Sequence, residues 1–202
     1  MGINNGIFNL QDYRFVVENE TKYFLGPNYT TGNVKYDGQQ YYDVRLKYDL
    51  EKDLFIYNPK NASAGIGVNL IQYKVDSFSI YDKKFVNLGN LEPVENPLIL
   101  NGYYQKIKIG PGFIFYTKFK KNKTEIIKND KIYYSYRGDH QFLLKYQNDY
   151  IEISSESDVQ EIFPAHSKNI QNFYEVEKLL ESSNLPLFYQ KLMFYINDLL
   201  GN

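Results

Sequence analysis

His140 and His166 are the only histidines in a chain of 202 residues that contains no cysteine. A thiolate nucleophile, a disulfide framework and a multi-histidine metal centre are therefore excluded at the outset. A Ser-His-Asp triad would have to use one of these two imidazoles. Ser135, Ser154, Ser155 and Ser157 lie outside any G-x-S-x-G turn. His140 follows Gly138-Asp139, and His166 follows Pro164 between two helical stretches, so both read as surface or capping side chains. A pair of carboxylates could hydrolyse a glycoside, and 24 Asp and Glu residues supply pairs by chance alone. Asp37, Asp49, Asp53, Asp139 and Asp149, however, fall at turns, where aspartate bonds its own backbone. Glu152 alternates with Ile151 and Ile153 and is expected to face solvent. No calcium loop is present, and Gly110-Pro111-Gly112 lacks the helix start that a phosphate cradle needs. The expectation is no catalytic residue, no metal site and no cofactor.

Two features could bind rather than react. One is the basic run Lys118-Phe119-Lys120-Lys121-Asn122-Lys123, expected to be a solvated hairpin tip extending to Lys128. The other is a set of tyrosine pairs in a composition of 21 Tyr and 14 Phe with no Trp. Adjacent residues of a strand point to opposite faces, so one ring of each pair Tyr41-Tyr42, Tyr103-Tyr104 and Tyr133-Tyr134 should leave the core. Tyr41, Tyr103 and Tyr133 are the candidates for contact with a partner or a glycan, because tyrosine offers rigid contact area with a polar tip. With 23 basic against 24 acidic side chains, the charge balance disfavours nucleic acid and anionic lipid as partners. No apolar run approaches the ~18–20 residues of a membrane span.

The elements that must position these residues are mostly strands. Asn33–Tyr36 runs into Asp37-Gly38, a favoured hairpin turn, and returns as Tyr41–Tyr48. From Tyr42 the return strand alternates, with Tyr42, Val44, Leu46 and Tyr48 on one face and Asp43, Arg45 and Lys47 on the other. Leu54–Tyr57 makes a third strand. Further strands are expected at Tyr13–Val17, Ser77–Tyr81 and Lys84–Leu88 (joined at Asp82-Lys83), Tyr103–Ile109, Phe113–Phe119, Ile132–Tyr136, Gln141–Tyr146 and Tyr150–Ser154. Residues 58–65 and 89–97 read as loops. The period then becomes helical: a short helix over Val159–Phe163 capped near Ser157-Asp158, another over Lys168–Ser182, and a third entered through Asn184-Leu185-Pro186. Its stripe is Phe188, Leu192, Tyr195 and Leu199, with Gly201 as the stop. The fold class is thus mainly β: an antiparallel sandwich, barrel or curled sheet of about ten strands followed by two or three C-terminal helices. The expected organisation is an antiparallel β domain over 1–155, with a helical segment over 156–202 packed on it.

The run Gly32-Asn33-Val34, Gly38, Tyr41, Val44, Leu46, Tyr48-Asp49 resembles the opening hairpin of a group of exported β-rich proteins of Bacteroidota. Val75-Asp76-Ser77-Phe78, Lys84-Phe85-Val86, Gly102-Tyr103-Tyr104-Gln105 and Phe113–Lys118 follow in the same order, so the resemblance spans residues 25 to 200. Lys47 and Asp49 stand where that group often has arginine and asparagine. The resemblance implies export to the periplasm, the outer membrane or the outside. It brings no catalytic residues. Met1-Gly2-Ile3-Asn4-Asn5 has neither the basic nor the apolar stretch of a leader, so a removed leader is expected.

Together these readings point to a non-catalytic, envelope-associated or secreted module that engages a protein partner. The alternative is a β-barrel holding a glycan or a small hydrophobic molecule. A carboxylate-pair hydrolase ranks third.

Overall fold

The computed structural model describes residues 2–3, 6–10, 15–60, 62–63, 65–91 and 96–201. Met1, Asn4 and Asn5 of the start, Tyr13 and Arg14 of the first expected strand, Asn61 and Ala64 of the first loop, and 92–95 of the second lie outside them. The described residues form 14 strands and 5 helices, four of the helices gathered at the C-terminal end.

The strands are β1 (Ile7–Leu10), β2 (Phe15–Val16), β3 (Thr30–Tyr36), β4 (Gln39–Asp49), β5 (Leu54–Asn58), β6 (Ile66–Asn69), β7 (Val75–Ile80) and β8 (Lys83–Asn87). After a single helical turn, α1 (Leu88–Leu91), come β9 (Tyr103–Gly110), β10 (Phe113–Lys118), β11 (Lys121–Lys128), β12 (Lys131–Gly138), β13 (Gln141–Tyr146) and β14 (Asp149–Ile153). Helices α2 (Glu156–Ile162), α3 (Ser167–Val176), α4 (Lys178–Ser183) and α5 (Leu185–Leu199) follow. Eleven strands make one antiparallel sheet in the order β1-β6-β5-β4-β3-β7-β8-β9-β10-β13-β14, which does not close into a barrel. The other three form a separate sheet, β11-β12-β2.

Hairpin turns set much of this topology. Asp37-Gly38, Tyr81-Asp82, Asn129-Asp130 and Gln147-Asn148 each place two consecutive residues at positive φ. That is the backbone of a type I′ turn, whose twist matches the strands it joins. The turn expected at Asp82-Lys83 therefore sits one residue earlier, and Lys83 pairs with Ile80. Between Gly32↔Val44 and Val34↔Tyr41 the register slips by one residue on β4, with Asp43 left-handed at φ 52°. This bulge flips the side-chain alternation. Tyr41 consequently takes the core side that Tyr42 was expected to occupy, and Tyr42 is 69% exposed. Strands β1 and β6, unexpected from the sequence, pair with each other antiparallel.

Compact packing divides the chain into two units, Met1–Gln105 with Phe119–Asp139, and Lys106–Lys118 with His140–Asn202. The first unit is built on aromatic rings. Tyr48 lies 5.4 Å from Phe78, 5.6 Å from Phe85 and 5.7 Å from Tyr103, centroid to centroid. Phe78 stacks on Phe55 at 3.9 Å and on Phe85 at 4.7 Å. The Tyr48 hydroxyl donates to Asp53 Oδ1 at 2.6 Å, whereas the buried Tyr103 hydroxyl has no hydrogen-bond partner among the described residues. Gly32 fits because β7 passes so close: a Cβ there would stand 2.2 Å from the Ser79 carbonyl oxygen.

In the second unit, α5 buries Phe188, Tyr189, Leu192, Met193, Ile196 and Asn197; of the expected stripe, Phe188 and Leu192 are on this face, whereas Tyr195 and Leu199 are half-buried. Asn184 caps it by accepting from the Leu187 amide at 3.2 Å. Phe142 of β13 meets Tyr189 at 4.6 Å. Gly110, at the end of β9, touches α5 directly; a Cβ there would lie 2.2 Å from Asn197 Oδ1. The helix expected over Lys168–Ser182 breaks at Glu177 into α3 and α4.

Two outcomes follow for urea denaturation. Tyr48→Phe, which strips Asp53 of a buried donor, should cost about 1–2 kcal/mol, whereas Tyr103→Phe should be neutral or slightly stabilising. Equal losses in the two variants would contradict this assignment of the hydroxyls. Gly110→Ala should cost about 1–3 kcal/mol by overpacking. The double variant Gly110→Ala/Asn197→Ala should lose less than the two single losses added together, as contact between the sites requires.

Candidate functional site

The second unit holds an open cavity of about 380 Å³ whose lining includes Tyr146, Asp149, Ile151, Phe163, His166 and Leu200. His166 ends a 3-10 turn over Pro164–His166, and Asp149 opens β14. The Tyr146 and Phe163 rings meet edge to face at 5.2 Å. The cavity thus gathers one imidazole, one carboxylate and two aromatic rings, and its lining holds no serine, threonine or cysteine. His140 lies elsewhere, edge-on to Phe142 at 6.4 Å.

Of the serines singled out from the sequence, Ser135 is buried in β12, and Ser154, Ser155 and Ser157 lie at the start of α2. Ser155 is its N-cap and accepts from the Asp158 amide at 3.3 Å. Asp158 Oδ2 in turn accepts from the Ser154 amide at 2.7 Å, the Ser154 hydroxyl at 2.8 Å and the Ser155 amide at 2.9 Å. This is a reciprocal capping box. The Ser154 amide, then its hydroxyl, hold the Asp158 carboxyl below its ordinary range of 3.8, against a smaller opposing effect of burial.

Asp49 also acts on structure. Its carboxylate accepts from the Glu51 and Lys52 amides, both at 3.1 Å, and pairs with Lys22 at 2.9 Å. Burial alone would lower the Lys22 ammonium, but the Asp49 hydrogen bond and charge raise it. Lys47, from the supposed outer face of β4, is bracketed by Tyr23 at 4.4 Å and Tyr29 at 4.3 Å.

Of the tyrosine candidates, Tyr41 is half-buried against the first core and donates to Gln39 Oε1 at 2.9 Å. Tyr103 is completely buried, which corrects its expected place on a surface. The strand is covered on both faces: Tyr103 packs among Phe55 and Phe78, and the Tyr104 hydroxyl accepts from the Leu100 amide. Tyr133 is half-buried in β12. The three do not form one exposed patch.

Tyr133 leads instead to a feature that sequence reading missed. The stretch up to Lys128, expected as a solvated hairpin tip, contains strand β11, paired with β12 at every position from Lys121↔Gly138 to Lys128↔Lys131. Arg137 and Gly138 belong to β12 rather than to a turn. The base of this ribbon is tied to the rest of the first unit. The Lys121 amide donates to the Leu50 carbonyl at 3.1 Å, its ammonium donates to the Thr21 carbonyl, and the Tyr136 amide donates to Glu20. Burial lowers the Lys121 ammonium, with the Glu20 charge opposing.

Beyond the base, both faces carry exposed apolar side chains. One face shows Ile126 (42% exposed) and Phe15 (52%) around Tyr133, with the Phe15 and Tyr133 rings 5.4 Å apart. The other shows Ile127 (78%), Ile132 (53%) and Val16 (39%) beside Tyr134. The visible signal was Ile126-Ile127 and Ile132 placed symmetrically about the turn Asn129-Asp130.

No family model matches the chain, and no curated protein or solved structure matches it either.

The capping box makes a quantitative expectation. Ser155→Ala should cost about 1 kcal/mol. Because the Asp158 pKa is depressed on folding, its contribution is complete above about pH 4 and is lost as pH falls through the folded value. Stability of the native chain should therefore fall more steeply below about pH 4 than that of Asp158→Asn, as measured by thermal melts across pH. Parallel profiles would contradict the assignment.

Proposed function

We propose that this chain is a non-catalytic module, exported or held at the cell envelope, that engages a protein partner through the ribbon of β11, β12 and β2. The observation that carries this reading is the exposure of Phe15, Val16, Ile126, Ile127 and Ile132 on the two faces of one ribbon. Each such side chain is worth about 1.5–3 kcal/mol when fully buried. Apolar clusters of this kind, rimmed by charge, mark association surfaces. The envelope location rests on the resemblance of Gly32–Asp49 and the segments after it to exported proteins of Bacteroidota.

A second reading is supported by the cavity of about 380 Å³ floored by Tyr146 and Phe163. Its volume falls within the range of small-ligand sites. It would serve a sugar or a small apolar molecule in place of the interior of a closed barrel.

A photo-crosslinking residue placed at Ile127 or Ile132 in the source cells should give one discrete protein adduct. The same residue at Leu179, which is 85% exposed on α4, should give none. Ile127→Asp should alter stability by no more than about 0.5 kcal/mol and should abolish the adduct formed from Ile132. Identical adduct patterns at Ile132 and Leu179, or no adduct at either ribbon position, would remove the ribbon from the functional account.

A further inference from the structure

We infer that the outer edge of β11 is the contact itself, and that it accepts an extended acidic and apolar segment of a protein partner as an added strand. This rests on the partner-binding reading above and specifies the partner's chemistry. Among the described residues, β11 ends its sheet, with β12 on one side only. The turn Asn129-Asp130 is a two-residue hairpin, so Lys128 and Lys131 form the hydrogen-bonded pair beside it. Hydrogen-bonded and open positions then alternate along the strand. Asn122, Thr124, Ile126 and Lys128 bond inward to β12. Lys121, Lys123, Glu125 and Ile127 turn their amides and carbonyls outward. The Lys121 amide conforms to this phase, reaching outward to the Leu50 carbonyl. Lys123, Glu125 and Ile127 are left as a strand-length template, with side chains exposed on both faces.

Charge selects what would pair there. Residues 119–139 carry six basic and three acidic side chains, in a chain whose net charge is −1. Lys120 and Lys123, near the base, are paired with Asp139 and Glu51. Lys128 and Lys131 face each other directly across the ladder, a like-charge arrangement that disfavours the isolated ribbon. An acidic residue on the incoming strand, beside Lys128, would offset that repulsion. Apolar residues at the alternate positions would cover Ile127 with Ile132 on the other face.

The same charges argue against two other occupants. A second copy would bring together two edges that each carry Lys121, Lys123 and Lys128, and lysine on an edge strand guards against such self-pairing. A membrane could bury the isoleucines, but hydrocarbon cannot satisfy the outward amides and carbonyls. A peptide strand satisfies both demands.

Random decapeptides displayed on phage, selected on the whole chain, provide the test. Glu125→Pro removes one outward amide and leaves the β11–β12 ladder intact, since edge positions tolerate proline. Lys128→Glu/Lys131→Glu inverts the charge without touching the backbone edge, and serves even if the proline variant fails to fold. The selected sequences should alternate apolar and acidic residues and bind Glu125→Pro about tenfold more weakly. Selection on Lys128→Glu/Lys131→Glu should return basic sequences instead. Absence of enrichment, the same acidic sequences on the charge-inverted variant, or undiminished binding to folded Glu125→Pro would overturn the inference. So would binding of the chain to phosphatidylglycerol vesicles that is lost on Ile127→Asp and kept in Glu125→Pro. Adducts at Ile127 together with indifference to Glu125→Pro would leave the partner-binding reading standing and remove the edge.

Discussion

Tyr48 has to satisfy two conditions at once, and the first unit is arranged so that it can. Its ring is the hub of a buried aromatic cluster that includes Phe24, Phe55, Phe78, Phe85 and Tyr103. Its hydroxyl, equally buried, would be a burden without a partner. Asp53 supplies that partner from the turn between β4 and β5, where its own left-handed backbone, φ 52°, aims the carboxylate inward. Gln72 bonds the other oxygen of the same carboxylate at 3.2 Å. A turn that looks like simple punctuation is thus held in shape by the core it closes.

The sequence was most legible where one physical signal dominated. Strand β4 was visible from its alternation, α5 from Asn184, Pro186 and Gly201, and α2 from its serines, although its cap is Ser155, two residues before the expected Ser157-Asp158. The errors arose where a signal was cancelled. The left-handed Asp43 inserts one residue into β4, so the alternation read through it assigned Tyr41 and Tyr42 to the wrong faces. Strand β6 contains Gly67, where a Cβ would strike Tyr29 and Ile56, and a glycine between two loops gives no strand signal. Tyr103 and Tyr104 were expected to divide between inside and outside. Both faces of β9 are covered there, a fact of tertiary packing that no two-residue period encodes. Strand β11 is exposed along almost its whole length, so it lacks the apolar-polar contrast by which a half-buried strand is recognised.

That last case shows how the candidate site relates to the fold. Elsewhere in the first unit, apolar side chains are ordered by burial. Along the ribbon they are ordered by backbone pairing, with β2 contributing, among the described residues, the pairs Phe15↔Tyr133 and Val16↔Tyr134. Two-stranded ribbons are marginal in water, and this one borrows its stability from its base, through Leu50, Thr21 and Glu20. The demands of folding stop a few residues from the tip. What the remaining isoleucines and lysines do is therefore free to answer to something outside the chain.

The order in which the chain visits its two units has a practical corollary. It leaves the first after Gln105, returns at Phe119 and leaves again after Asp139. No single cut in the gene separates one unit whole from the other. A fragment ending at Gln105 would lack β11 and β12, and one beginning at Lys106 would carry them as orphans. During synthesis the first unit stays unfinished until residue 139 has emerged, so neither half is a natural stopping point for a ribosome or a protein engineer.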